Sequence, residues 1–152
     1  MKKAWTFIVA AVTVLTLSAC SITTPLDPHN PSPKLTDCPS TPNCVSTDTD
    51  SASHRIQPFN LLIPADQAWP QVVNTVSGMP RTVITVERPG YLYAKSYSKI
   101  FQFLDYLEVL SIPEENRLAV RSSSMLGISD LGVNARRTET LRKALQEKGI
   151  IE

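Results

Sequence analysis

The sequence predicts a two-layer α+β domain: a helix, a four-stranded antiparallel meander and a second helix. Three observations carry this. Apolar residues recur at helical spacing from Asp66 to Val76. Four short β-type runs, separated by turns, lie between Arg81 and Ser124. A stretch rich in Arg, Glu, Leu, Lys and Ala follows, from Val133 to Glu147.

In the first helix Ala68, Trp69, Val72, Val73 and Val76 share a face, and Asp66 is expected to cap it. Pro70 is placed in the first turn, where a missing N–H is tolerated, and Gly78 and Pro80 end the helix. The first strand run, "RTVITVE", puts Thr82, Ile84 and Val86 on one face. Pro89-Gly90 turns the chain into "YLYAKSYS", where Tyr91, Tyr93 and Tyr97 form a stripe expected on the outer sheet face. "FQFLDYLEVL" is the most apolar run, and Pro113 to Asn116 joins it to "RLAVRSSS". Short connections between successive strands imply antiparallel pairing, and both helices are expected on one sheet face. From Cys38 onward the chain has 115 residues, enough for one sizeable core.

The N-terminus reads as a targeting segment. Lys2 and Lys3 precede an uncharged, mostly apolar run from Ala4 to Leu17, too short for a comfortable membrane span. Residues 1–19 are therefore expected to be a signal peptide. Leu17-Ser18-Ala19-Cys20 resembles the lipobox of bacterial lipoproteins. That resemblance implies a diacylglyceryl-modified Cys20 as the mature N-terminus. At about 0.8 kcal/mol per buried methylene, two or three acyl chains would anchor it stably. Ser21, in place of aspartate, resembles the outer-membrane-sorted class. The expected location is the bacterial cell envelope, lipid-anchored in the outer membrane and facing the periplasm.

Residues 20–37 then read as the lipidated cysteine and a proline-rich tether, with His29 given no role. Lipidation of Cys20 leaves Cys38 and Cys44, in "CPSTPNC", as an expected disulfide. A redox-active or metal-binding pair is the alternative, although the spacing is not Cys-x-x-Cys and no histidine is close by. The single domain is placed at 38–152. Without the leader, 13 basic side chains face 14 acidic ones, and no basic block appears. Nucleic acid is excluded as a partner on that ground.

"SSSMLGISDLGVNARR", from Ser122 to Arg137, concentrates polar groups between the last strand and the second helix. Together with "CPSTPNCVS" and the acidic run "FLDYLEV", it resembles the domain of unknown function 1499 family (DUF1499), over roughly Cys38 to Leu145. The resemblance implies no reaction or substrate. The family pattern has a second acid where Tyr106 stands and arginines where Met125 and Ala135 stand. Loss of opposite charges together suggests groups that paired with one another. The candidate polar residues that remain are Asp105, Glu108, Arg121, Ser122, Ser124, Ser129, Asp130, Asn134 and Arg137.

Physical chemistry gives this loop a structural reading first. Ser129 or Asp130 is placed to accept from the first free N–H groups of the helix. Arg137, Leu141 and Leu145 are spaced by four, so Arg137 points at the sheet and needs a carboxylate. Asp105 and Glu108, three apart on one strand, face opposite sides, so one of them is its direct partner. A small-anion site built from serines, helix N–H groups and arginine is the second reading. Two functional classes follow. The first is a non-catalytic binding or assembly module whose partner is an envelope protein, a glycan or a small anion. The second is a small envelope hydrolase using the loop with His54, although no Gly-x-Ser-x-Gly elbow is present. No phosphate-binding or dinucleotide motif appears, and neither a cofactor nor a metal is expected.

Overall fold

The computed structural model describes residues 23–30, 33–100, 102–127 and 129–152. Cys20 and the leader lie outside the described residues. The elements are β1 (Cys44–Ser46), β2 (Phe59–Asn60), α1 (Ala65–Ser77), β3 (Thr82–Arg88), β4 (Tyr91–Tyr97), β5 (Leu104–Ile112), β6 (Arg117–Ser124) and α2 (Val133–Glu147).

The sheet has six strands rather than four. β3 to β6 form the expected meander, and β1 and β2 both pair antiparallel with the free edge of β6. These two additions span three and two residues, too few to show a period-two pattern. Their register comes from β6, with Cys44 opposite Ser123, Ser46 opposite Arg121 and Phe59 opposite Leu118.

α1 begins one residue before its expected start, after Pro64. Asp66 lies in its first turn and does not cap it. Pro70 is therefore in the second turn, where it removes the hydrogen bond to the Asp66 carbonyl. Tertiary burial compensates: Ala68, Val72 and Val76 pack under the sheet beside Leu141 and Leu145 of α2. From the sheet side Leu92, Ala94, Leu107, Val109, Leu118 and Val120 complete this core. At about 25 cal/mol per Å² of apolar surface, it is the main source of stability.

The other sheet face is not an outer face. Described residues of the 23–30 and 33–35 stretches lie against it, with Leu35 buried and Leu26 packed on the cluster of Tyr91, Tyr93, Tyr106, Leu110 and Ala119. The segment expected to be a bare tether thus adds a third, irregular layer. Tyr91 and Tyr93 are buried here, and only Tyr97 of the stripe is exposed. Their hydroxyls decide the matter. Tyr93 donates to the Thr23 carbonyl at 2.8 Å, and Tyr91 accepts from the Leu26 N–H at 3.1 Å. Such amphipathic rings bury well when the hydroxyl finds a partner.

Candidate functional site

Two charged networks flank the middle strands, one on each face. On the helix face Arg137 Nη2 donates to Asp105 Oδ2 at 2.5 Å. The Arg137 Nη1 donates to Asn134 Oδ1 at 2.6 Å and to Ser122 Oγ at 3.0 Å. Asn134 is fully buried and uses its amide twice, toward Ser124 Oγ and toward the Asn43 carbonyl, both at 3.0 Å. Ser122 Oγ lies 2.7 Å from Asn134 Oδ1 and 3.0 Å from the Tyr106 carbonyl.

Asn43 is the residue that sequence reasoning missed. Its own amide donates to the Gly127 carbonyl at 2.8 Å, and its carbonyl accepts from the Ser124 N–H at 2.9 Å. Cys38 and Cys44 form a disulfide that closes the turn in which Asn43 stands. So the cysteine turn and the polar loop, 80 or more residues apart, meet through Asn43. Its position beside Cys44 in a proline-rich turn was the available signal.

Asp130 holds the start of α2 from three residues upstream. Its Oδ1 accepts from Gly132 N–H at 2.8 Å and its Oδ2 from Asn134 N–H at 2.7 Å. Gly132 is the formal cap residue, with a φ of 76° that glycine adopts without strain. Ser129 Oγ accepts from the Leu131 N–H at 3.3 Å and stays in the loop.

The second network is on the opposite face. Arg121 Nη1 donates to Glu108 Oε2 at 3.2 Å, and to Thr23 Oγ1 and Ser123 Oγ, both at 3.0 Å. Tyr91 donates to Glu108 Oε1 at 2.9 Å. Arg121 Nε is buried and has no hydrogen-bond partner among the described residues. Burial pushes the Glu108 carboxyl up, against the opposing pull of Arg121. Burial likewise pushes the Arg121 guanidinium down, with Glu108 acting the other way. The Tyr91 and Tyr93 hydroxyls are held well above their usual value, again chiefly by burial. Among the positions where the family pattern has charge, Tyr106 and Met125 share this second cluster, while Ala135 is on the exposed side of α2. The Ala135 position is thus not a partner of the other two.

Polar groups that could do chemistry are engaged in structure. Asp105 holds Arg137, and both Asp130 oxygens hold helix N–H groups. His54 is buried, and its Nδ1 has no hydrogen-bond partner among the described residues. No cluster of three metal-binding side chains occurs among the described residues.

Beside Arg137 a cavity of about 310 Å³ opens to the surface. Arg81, Lys99, Arg136 and Arg137 line it, with the hydroxyls of Thr82, Ser96, Ser98 and Thr140 and no carboxylate among the described residues. Arg81 Nε is tied to the Tyr97 carbonyl and Arg136 Nη1 to the Leu131 carbonyl, which positions both guanidinium groups. Only the topology gathers these cations: the start of β3 supplies one end, the β4–β5 connection another and α2 the wall. A depression of about 950 Å³ at the other end of the sheet is of mixed sign. There Arg117 is bound to Asp48 and Glu115, with Asp50 and Glu114 nearby.

The family described as Protein of unknown function (DUF1499) has a model that matches residues 34–145. No curated protein and no solved structure matches the chain.

Proposed function

The chain belongs to the DUF1499 family, and we propose that it is a lipid-anchored envelope protein whose domain binds an anionic ligand and catalyses no reaction. The cationic cavity beside α2 carries this reading. Asp105 matches the charge of Arg137, but Arg81, Lys99 and Arg136 meet no carboxylate in the lining and repel one another unless an anion enters. Arginine forks and hydroxyls are the donor set that suits phosphate, carboxylate or an acidic glycan. The networks on both sheet faces supply rigidity rather than reactivity: Asp105 holds Arg137 on one face, and Glu108 holds Arg121 and Tyr91 on the other. Anchoring rests on Cys20 at the end of a leader-type sequence.

Calorimetric titration of the full-length protein with inorganic phosphate, acidic oligosaccharides and anionic vesicles tests the binding reading. Saturable binding is expected from at least one of them, weakened tenfold or more by Lys99→Glu with Arg136→Glu. Absence of saturable heat from all three overturns it. For the anchor, Cys20→Ala should shift the protein from the membrane to the soluble fraction, or leave an unlipidated precursor. Retention at high salt with unchanged mass overturns that part. Any ester, glycan or phosphate hydrolysis abolished by His54→Ala would replace the binding reading with an enzymatic one.

A further inference from the structure

The cationic cavity belongs to a larger surface with a direction. Ile100 (78 % exposed), Phe103, Leu126 and Leu131 (85 % exposed) project from two connections at the same end of the sheet. One connection follows β4 and the other follows β6, so they are neighbours in space. Met125 N–H bonds the Leu104 carbonyl between them. Phe103, Leu126, Ser98 and Val133 line a common recess with Asp105 and Asp130, whose carboxylates are held by Arg137 and by the N–H groups at the start of α2, and Ser98 and Val133 also line the cationic cavity. Apolar loops therefore border Arg81, Lys99, Arg136 and Arg137 directly. Leu131 is unusual twice, being a large exposed apolar residue in a left-handed conformation, φ 52°.

The N-terminal segment shows what this end faces. Leu26 binds Tyr91 at the start of β4, whereas Thr23 binds Ser123, next to the last residue of β6. Followed toward the N-terminus, the chain thus runs to the end that bears the apolar loops. Two residues separate Thr23 from Cys20, and the three residue steps between them span at most about 11 Å. The far end mixes Asp48, Asp50, Glu114 and Glu115 with Lys34, Arg55 and Arg117, so it lacks the one-sided positive charge of the cavity beside α2.

We propose that this end of the sheet rests on the bilayer that anchors Cys20. Arg81, Lys99 and Arg136 meet anionic phospholipid headgroups, and Ile100, Phe103, Leu126 and Leu131 enter the headgroup–acyl boundary. The proposal rests on the lipid-anchor and anion-binding readings and gives them a ligand and an orientation. A single short acyl-linked segment leaves the domain free to tumble. Apolar side chains that dip into the interface, together with basic residues near anionic lipid, hold one orientation. The far end, where acidic and basic side chains are mixed, is then directed away from the bilayer.

Tryptophan reporters in the full-length lipidated protein test it. The protein is reconstituted into phosphatidylethanolamine–phosphatidylglycerol vesicles with bromine-labelled acyl chains, which quench tryptophan on contact. Phe103→Trp reports the proposed contact, and Leu62→Trp, exposed at the other end, reports its opposite. Trp69 gives both the same background. Quenching at least threefold stronger for Phe103→Trp is expected, falling by half or more when Lys99→Glu and Arg136→Glu are added. Equal quenching of the two reporters, no quenching of either, or indifference to the charge reversal overturns the proposal. Intact mass of the same sample separates the failures. A lipid-bearing mass without selective quenching removes the orientation and leaves the anchor standing. A lipid-free mass removes the anchor and the orientation together. Saturable heat with phosphate or a glycan, but none with vesicles, keeps the binding reading and removes the bilayer as its ligand.

Discussion

The two faces of the sheet hold the same device, an arginine on a carboxylate, under opposite conditions. Asp105–Arg137 lies at the rim of the helix face, at 2.5 Å, with Arg137 still 9 % exposed. Its guanidinium has three side-chain acceptors, and every neighbour is itself hydrogen-bonded. Glu108–Arg121 is enclosed under the N-terminal segment, at 3.2 Å, and its Nε finds no partner among the described residues. The first pair keeps water within reach and gains geometry. The second gives up solvation and recovers less of it. A buried pair is thus not a fixed quantity of stability; its value depends on how many donors and acceptors are satisfied.

The largest expected effect breaks the helix-face pair. Arg137→Ala leaves Asp105 uncompensated and frees Ser122 and Asn134, at a cost of about 3–5 kcal/mol. Arg136→Ala, one residue away and exposed, should stay within about 0.5 kcal/mol. Urea melts of the two variants decide between a lock and a ligand site. Equal small losses, with loss of a bound anion, would mean that Arg137 serves binding rather than stability.

Part of this contrast was legible in the sequence. The spacing of Arg137 with Leu141 and Leu145 placed it over the sheet, and the odd separation of Asp105 and Glu108 put them on opposite faces. The meander was readable because its strands are seven to nine residues long and joined by short turns. β1 and β2 were not, since their pairing is set by β6 rather than by their own pattern. The covering of the second face was hidden too. A proline-rich segment looks like a linker by composition, and nothing local reveals that Tyr91 and Tyr93 supply hydrogen bonds to its backbone. The cationic cavity combines residues from 81 to 140, which only the finished fold brings together.

The next effect sharpens the comparison through the disulfide. Replacing Cys38 and Cys44 with serine opens a short loop and should cost about 2 kcal/mol. The loss should fall on the helix-face network, because the bridge closes the turn of Asn43, and Asn43 binds Asn134 and Gly127. Hydrogen exchange should quicken at Ser124, whose amide bonds the Asn43 carbonyl. Val109, in the middle of the sheet, should keep its protection. Uniform loss across the sheet would show that the bridge acts on the unfolded chain alone.

The second face is tested by pH. The Glu108 carboxyl is pushed up by burial. A raised carboxyl contributes stability that is fully present below the ordinary carboxylate range and is lost as pH rises through the folded value. Glu108→Gln has no proton to lose there. The stability of the variant relative to the parent should therefore improve with pH, by about 1.4 kcal/mol for each unit by which folding raises the group. Urea midpoints at several pH values from about 4 to about 8, the span over which a raised carboxyl titrates, measure this. A gap that moves toward the parent instead would show that Arg121 outweighs desolvation, and that the two faces hold equivalent pairs.

The smallest effect separates the loop from both pairs. Asp130 touches neither guanidinium; its two oxygens bind the N–H groups of Gly132 and Asn134. Removing a side-chain acceptor at a helix start costs about 1 kcal/mol, and Asp130 also complements the positive end of α2. Asp130→Asn keeps one acceptor oxygen and loses the charge, so it should cost less than Asp130→Ala. Ser129→Ala, which breaks only a 3.3 Å contact inside the loop, should be nearly silent. A capping role requires that the losses read from urea midpoints fall in the order Asp130→Ala, Asp130→Asn, Ser129→Ala. If Asp130→Ala approached the loss of Arg137→Ala, the loop would be acting through the buried network. Asn134 is the route by which it could, since its N–H rests on Asp130 and its side chain on Ser124, Asn43 and Arg137.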